Sequence, residues 1–402
     1  NSATFYLLTF LAIFAFHFAK KINVRQWVFS VFNILALVGF FYLAKRQLAI
    51  LLLFVGLNYV LLHLLNRQAK YRVHFGWIII AIAVSFLCFF KYSIFQSAIT
   101  TIFPFSASLL KPLHFLGISF FSFRLISLIF DVVHDSTIQI RFLSYFNFLL
   151  FFPAYISGPL DRYERFSSDF EVVKVWEWSE NYAAVRRIIV GLFKKVVIAD
   201  LIAPFCLLKI SSTDLAHLPS PTILGTLYLY GIFLYFDFSG YTDIVIGVSR
   251  LFGIQTPENF NRPYLAKNVQ DFWNRWHMSL MSFLKDYLFF PLGRMWVALG
   301  VKNFNIISAV NFFLVFVLAG IWHGDGRNYI YYGIYHGIGY VIYFSYKSLS
   351  KKMFPVTWLA QLENSRWANA SSIFITLSYI TFSWFFFLDK GLVAHNLFAR
   401  WL

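Results

Sequence analysis

Leu48-Ala49-Ile50-Leu51-Leu52-Leu53-Phe54-Val55-Gly56-Leu57-Asn58-Tyr59-Val60-Leu61-Leu62-His63-Leu64-Leu65 carries no Asp, Glu, Lys or Arg, and Lys45-Arg46 and Arg67 bracket it. Roughly 20 predominantly apolar residues in a helix cross the hydrocarbon core of a bilayer, so this stretch predicts a spanning helix. Working outward, Gln26–Ala44 is a second span, and a further one runs from about Val73 to Phe95, with Lys91 placed to snorkel near its end. The apolar run Ala3–Ala19 is followed by Lys20-Lys21 rather than by small residues suited to cleavage, and it reads as a retained helix. Lys20, Lys21 and Arg25, and then Arg67, Lys70 and Arg72, outweigh the intervening Lys45 and Arg46. The positive-inside rule places those two richer connections in the cytoplasm and the N-terminus outside.

The whole chain has this character. Of 402 residues, 59% are hydrophobic and only 13% charged, against about 25% charged in ordinary globular domains. The expectation is an all-α, polytopic membrane protein. Its 52 Phe suit lipid-facing surfaces and interface belts; stacking on bases needs an exposed soluble surface, so nucleic acid is not an expected partner. The formal charge of +16 suits loops held against anionic headgroups, at about 1 kcal/mol per basic residue. It also suits attraction to an anionic polymer or an acidic protein. Cys88 and Cys206 lie far apart in apolar surroundings and read as small hydrophobes rather than as a disulfide or a nucleophile. No internal repeat or low-complexity linker divides the chain, which predicts one integral domain over residues 1–402.

Further along, the polar residues inside apolar stretches carry the information. After a broken stretch with Pro104 and Pro112, Gly117-Ile118-Ser119-Phe120-Phe121-Ser122-Phe123-Arg124 opens a segment that also holds Asp131. Seven residues apart, Arg124 and Asp131 share a helix face and are expected to pair with each other or with neighbouring helices. The segment from Phe142 runs into Pro153, Gly158 and Pro159, which a straight helix cannot accommodate. Non-helical backbone at membrane depth is tolerated when buried in protein or lining a cavity, so this stretch is a candidate cavity wall. Arg162 to Tyr182 is polar, and Val185–Lys195 alternates basic pairs with apolar runs, as either an interfacial helix or the basic end of a span. A span from Thr222 to Phe236 then enters Asp237-Phe238-Ser239-Gly240-Tyr241-Thr242-Asp243. Asp237, Ser239 and Asp243 are expected to border a cavity, with the carboxylates capping a helix start in preference to acting as an acid and base pair.

Two histidines stand out: His277 in Phe272-Trp273-Asn274-Arg275-Trp276-His277-Met278-Ser279-Leu280, and His323 in Gly320-Ile321-Trp322-His323-Gly324. Intramembrane ionisable residues are functional-site hypotheses by default. With the Asp237–Asp243 stretch, Asn259-Phe260-Asn261, Gly117–Arg124 and Gly158-Pro159, these motifs follow one another in order, and together they resemble the membrane-bound O-acyltransferase family. Within it the resemblance is to the bacterial branch that acylates cell-surface polymers, D-alanylation of teichoic acid in particular, with alginate-type O-acetylation as the neighbouring alternative.

The resemblance implies about eleven spanning helices with short re-entrant ones, ringed around a central tunnel in a bacterial plasma membrane. It implies peripheral helices over about 1–115, a catalytic core over about 116–345 and C-terminal helices over 346–402. It maps the family's catalytic histidine onto His323 and its second active-site position onto His277. The donor would be D-alanine as a thioester on the phosphopantetheine arm of an acidic carrier protein, with no tightly bound cofactor. The acceptor would be a hydroxyl of lipoteichoic acid or a related anionic polymer, reached directly or through an intermediate.

The residues suit that chemistry. Moving an acyl group from a thioester to an alcohol needs a base, and histidine is poised for this near neutral pH. Gly324-Asp325-Gly326 is a helix-ending signal that would put His323 at a helix C-terminus, where the dipole favours an imidazolium. His277 would position the hydroxyl or donate to the thioester carbonyl. His336, Asp325, Trp322, Trp273 and Asn274 are supporting candidates. No His-Glu-x-x-His helix or cysteine cluster points to a metal, and no Gly-x-Ser-x-Gly elbow is present. The strip Asp286–Val297, with Arg294, Met295, Trp296 and Val297, combines apolar surface with positive charge and is the candidate carrier-docking face. Tyr329–Phe344 and Ala368–Leu388 complete the spans. A transporter without chemistry would need neither histidine, and matching broken helices in two halves are not apparent.

Overall fold

A computed structural model describes residues 9, 11–16, 21–42, 44–67, 70–102, 115–172, 177–210 and 218–388. The apolar run Ala3–Ala19 falls largely outside these residues, and Pro104 and Pro112 fall entirely outside them. Among the described residues all regular structure is helical, apart from one isolated antiparallel bridge between Phe260 and Trp276. Among the described residues six helices are long and apolar enough to cross a membrane. The chain divides into two compact units, Asn1–Val190 with Thr242–Pro257, and Gly191–Tyr241 with Glu258–Leu402.

The first unit opens with α1 (Ile22–Phe40), α2 (Lys45–Arg67) and α3 (Arg72–Lys91). Only 28% of the most apolar window of each is buried, so most of this apolar surface is left for lipid. Next come α4 (Ser93–Ile102), α5 (Ile118–His134), α6 (Phe142–Leu149), α7 (Tyr163–Phe170) and most of α8 (Trp178–Leu192). Asn33 donates to Asn147 Oδ1 at 2.6 Å and accepts from the Phe152 N–H at 2.9 Å, while Asn147 donates to Ser30 Oγ at 2.7 Å. Buried polar groups need such partners.

Arg124 is only 2% exposed. Its guanidinium donates to the carbonyls of Ala154 at 2.6 Å, Leu149 at 3.3 Å and Phe148 at 3.4 Å. These carbonyls lie where α6 ends and a 3₁₀ turn, Phe152–Ala154, begins. A helix end leaves carbonyls without intrahelical partners, and a fork of five donors is suited to satisfying several. Pro153, Gly158 and Pro159 are buried here in protein. Gly158 is pressed against Ala154, where a Cβ would overlap it.

α9 (Ser220–Leu251) corrects one expectation. Asp237 and Asp243 do not cap a helix start; the helix runs through both. Within the first unit Asp243 pairs with Arg187 on α8 at 2.9 Å. Within the second, Asp237 pairs with Lys195 on a π-helical turn, Phe193–Ala199, that continues α8. A Cβ on Gly240 would meet Gly191 O and Lys195 N at 2.8 Å, and one on Gly247 would meet Ala184 O at 2.8 Å. The glycines let the backbones touch, and each carboxylate finds a cation, so the helix has no reason to break.

The second unit continues with α10 (Val269–Trp273), α11 (Met278–Leu284), α12 (Phe290–Ala298), α13 (Phe304–His323), α14 (Arg327–Met353), α15 (Val356–Asn364) and α16 (Arg366–Phe387). The side chain of Asn303 starts α13 by accepting from the N–H groups of Asn305 and Ile306. α13 and α14 form a hairpin with direct backbone contact: a Cβ on Gly333 would lie 2.6 Å from Phe316 O and 2.9 Å from Val317 Cα. Small residues at a helix interface are how apolar helices associate where lipid removes the hydrophobic drive. α16 packs on α14, Tyr335 Oη donating to Tyr379 O at 3.0 Å and Tyr379 Oη to Tyr335 O at 2.8 Å.

Gly333→Leu should force the hairpin apart; overpacking typically costs about 1–3 kcal/mol, and backbone cannot yield as a side chain does. A thermal aggregation curve of detergent-extracted protein should shift down by several degrees. Gly56→Leu, with nothing within 4 Å of a Cβ, should leave it in place.

Candidate active site

His277 sits between α10 and α11 in a left-handed backbone conformation, φ 46° and ψ 50°. For a residue with a Cβ this costs roughly 1–2 kcal/mol, and the surroundings hold it there. Asn259, fully buried, accepts from Met278 N–H through its main-chain carbonyl at 3.0 Å. Its side-chain oxygen takes the Ser279 N–H at 3.1 Å and the Ser279 hydroxyl as well. Asn261 N–H donates to Arg275 O at 2.9 Å, and Phe260 bridges to Trp276. Thus Asn259-Phe260-Asn261 splints the segment Arg275–Ser279 from both sides of His277. Just upstream, Asn268 caps α10 through the Asp271 N–H, and Arg275 Nε reaches Asp271 Oδ1 at 2.6 Å.

The His277 ring is buried and stands edge-on to Phe238, with centroids 4.9 Å apart. Trp273 points into the core against Phe316 and His336. Asn274 is exposed, and its backbone N–H closes the end of α10.

His323 is the last residue of α13, as the glycine signal predicts. Its imidazole is half-buried and boxed by Phe387 at 5.1 Å, Tyr332 at 5.7 Å and Tyr329 at 6.4 Å between centroids, with Trp322 at 4.7 Å. Asn328 donates to Phe386 O at 3.0 Å and ties the start of α14 to the end of α16 around this box. Asp325 is exposed in the turn. A continuous series of ring contacts joins the two histidines, from Phe238 through Phe260, Trp276, Trp384 and Phe387. The arrangement places an imidazole at the negative end of a helix dipole, which favours its protonated form as it takes a proton. Among the described residues no group of three or more His, Cys, Asp or Glu is placed to hold a metal.

Asp237 and Asp243 serve as ion-pair partners, and Ser239 is buried between them on α9. The candidate docking strip Asp286–Val297 runs from a π-helical turn, Lys285–Phe289, into α12. On α12 Arg294, Met295 and Val297 are exposed, while the Trp296 indole donates to Asn311 Oδ1 at 2.9 Å. Sequence reasoning missed Tyr332, Trp384 and Phe387, and it saw Asn259 as part of a motif without the role it plays at His277. A signal for Tyr332 existed, since Asn328, Tyr332, His336 and Tyr340 recur every four residues and form the buried face of α14.

Residues 65–388 match the family profile described as membrane-bound O-acyltransferase. The chain belongs to this family. It is a multi-pass membrane O-acyltransferase. It is 36% identical over 296 residues, 70% of either chain, to the teichoic acid D-alanyltransferase of Bacillus subtilis. It is 33% identical over 407 residues to the peptidoglycan O-acetyltransferase of Helicobacter pylori, covering 89% of this chain and 71% of that one. Over 329 residues it is 34% identical to a probable alginate O-acetylase of Pseudomonas aeruginosa, covering 76% of this chain and 59% of the relative.

Asn259→Ala strands the Ser279 N–H and hydroxyl in a buried site, at about 1–3 kcal/mol for each donor left unmade. The melting temperature should fall, and acyl transfer with it. Ser279→Ala should cost less in the Asn259→Ala background than in wild type, because the two residues share one interaction.

Proposed function

We propose that this chain moves D-alanine from a thioester on the phosphopantetheine arm of an acidic carrier protein to a hydroxyl of teichoic acid, in a bacterial plasma membrane. The observation that carries the reading is the likeness to D-alanyltransferases over 70% of the chain, combined with an imidazole held at the end of α13. In this reading the acceptor oxygen attacks the thioester carbonyl while His323 takes its proton. The new C–O bond forms, the C–S bond breaks, and the proton passes to the departing thiolate. His277, fixed by the Asn259 splint, donates to the carbonyl oxygen as charge develops there; one such donor is worth about 10²–10³ in rate.

The carrier docks on α12 in this reading. Phe290, Met295, Val297 and Leu299 are 44–68% exposed and lie beside Arg294 and Lys302. Exposed apolar side chains framed by positive charge suit an acidic partner, with the charge acting mainly on the association rate. Acetyl transfer to a polysaccharide is the second reading, favoured by the likeness to the peptidoglycan O-acetyltransferase over 89% of the chain.

The test supplies membranes containing the protein with carrier charged with labelled D-alanine or with an acetyl donor, and follows label into the polymer fraction. D-alanine transfer supports the first reading; acetyl transfer alone moves the assignment to the second. Arg294→Glu should lower the rate at limiting carrier about tenfold and flatten its salt dependence, since screening acts on such steering. Transfer at saturating carrier should be unchanged.

A further inference from the structure

The connection from α14 through α15 to α16 is strongly basic: Lys347, Lys351, Lys352 and Arg366 stand against one acidic residue, Glu363. All four cations are exposed. α14 has 27 residues, about 40 Å of helix at 1.5 Å per residue, which exceeds the roughly 30 Å of hydrocarbon in a bilayer. Phe312 on α13 faces Tyr340 at 4.0 Å and Phe344 at 6.3 Å between centroids. The last turns of α14 therefore stand level with the start of α13 and beyond it. α15 follows after Phe354 and Pro355 alone, and Ser365 alone joins it to α16.

No residue of α15 is buried. Trp358 and Leu362 share a helix face, and Phe354 extends it by stacking on Trp358 at 4.6 Å. With Met353, Val356 and Trp367 these side chains are 38–85% exposed. A contiguous apolar patch rimmed by charge marks an interaction surface.

We propose that α15 and its flanks bind anionic phospholipid headgroups, with Phe354, Trp358 and Leu362 dipped into the membrane interface and the four cations on the phosphates. Depth, composition and charge agree on this occupant. The short tethers to two spanning helices hold α15 at the level of the headgroups. Tryptophan is a residue of membrane interfaces, and cations around an apolar helix face bind anionic lipid. The turn at the other end of the α13–α14 hairpin carries only Arg327 against Asp325. The positive-inside rule thus puts α15 at the cytoplasmic leaflet, whose surface is negative. A second copy fits poorly, because a self-complementary contact would bring the same cations together. An acidic protein would suit the charges, but tethers of two residues and one give α15 no freedom to rise out of the interface and meet it. This surface is independent of which acyl group the enzyme carries.

The test uses the full chain with Cys88→Ala and Cys206→Ala, both native cysteines being free, and one new cysteine labelled with a polarity-sensitive fluorophore. Trp358→Cys and Leu362→Cys each report the apolar face, so either suffices if the other folds poorly; Asn364→Cys, across the helix from them, is the control. Each is reconstituted into vesicles of phosphatidylcholine alone or mixed with phosphatidylglycerol, and melting is followed on the same preparations. With phosphatidylglycerol present, the probes at 358 and 362 should emit to the blue of the probe at 364 and be quenched by lipid bearing a nitroxide just below the headgroup. Lys351→Glu combined with Lys352→Glu should lower the ratio of inserted to water-exposed probe at least fivefold, about the worth of one basic residue at an anionic surface. Water-like emission from all three probes overturns the proposal. So does insertion that is equal in the two lipid mixtures and survives the charge reversal, which would leave apolar contact alone. Shielding that appears only when the acidic carrier is added assigns the face to that protein and overturns the lipid assignment.

Discussion

Gly320 and Gly333 bring α13 and α14 into backbone contact, and the second unit is built on that approach. A Cβ on Gly320 would come within 2.8 Å of Gly333 N and Cα, so the two positions accept no larger residue without separation. In lipid the hydrophobic effect does not press helices together, and contact of this kind must come from packing and hydrogen bonds. The hairpin fixes where α13 ends, hence where His323 stands, and it sets the register that turns Tyr332 and His336 to the buried side. α16 then closes on α14 through the reciprocal tyrosine bonds, supplies Phe387 to the wall around His323 and packs Trp384 against Tyr332.

Polar interactions do the positioning that aromatic packing cannot. Rings tolerate small rotations and slides at little cost, whereas a carbonyl or carboxamide specifies a direction. The left-handed turn at His277 depends on this. Its local cost is met by Asn259, which binds the chain on the far side of the turn and lies eighteen residues away in sequence. In the first unit Arg124 performs a related task by satisfying carbonyls where a helix gives way to irregular backbone.

The fold class was legible because spanning lengths and charge content are physical requirements of a bilayer. The end of α13 was legible for a similar reason: Gly324-Asp325-Gly326 is punctuation that helices obey. The path of α9 was not. Asp237-Phe238-Ser239-Gly240 reads as a helix boundary until Lys195 and Arg187 are placed opposite, and no local pattern reports partners 42 and 56 residues away. Both histidines could be singled out because a polar side chain in an apolar run is conspicuous. Their aromatic enclosure could not, since a chain with 52 Phe and 23 Tyr gives no means of telling which rings face a site and which face lipid. Asn259 was visible as part of a motif, but its role needed the two motifs in contact.

The proposed transfer rests most on His323 as its base. The direct measurement is the initial rate of label transfer from acyl-carrier to polymer by His323→Ala beside wild type, at equal protein and with melting temperature and carrier binding measured on both. A base removed from its hydroxyl costs about 10²–10⁴ in rate, so transfer should fall by at least a hundredfold while folding and carrier binding persist. A His323→Ala rate within a few-fold of wild type would contradict the assignment and leave the helix end and its aromatic box without a catalytic role.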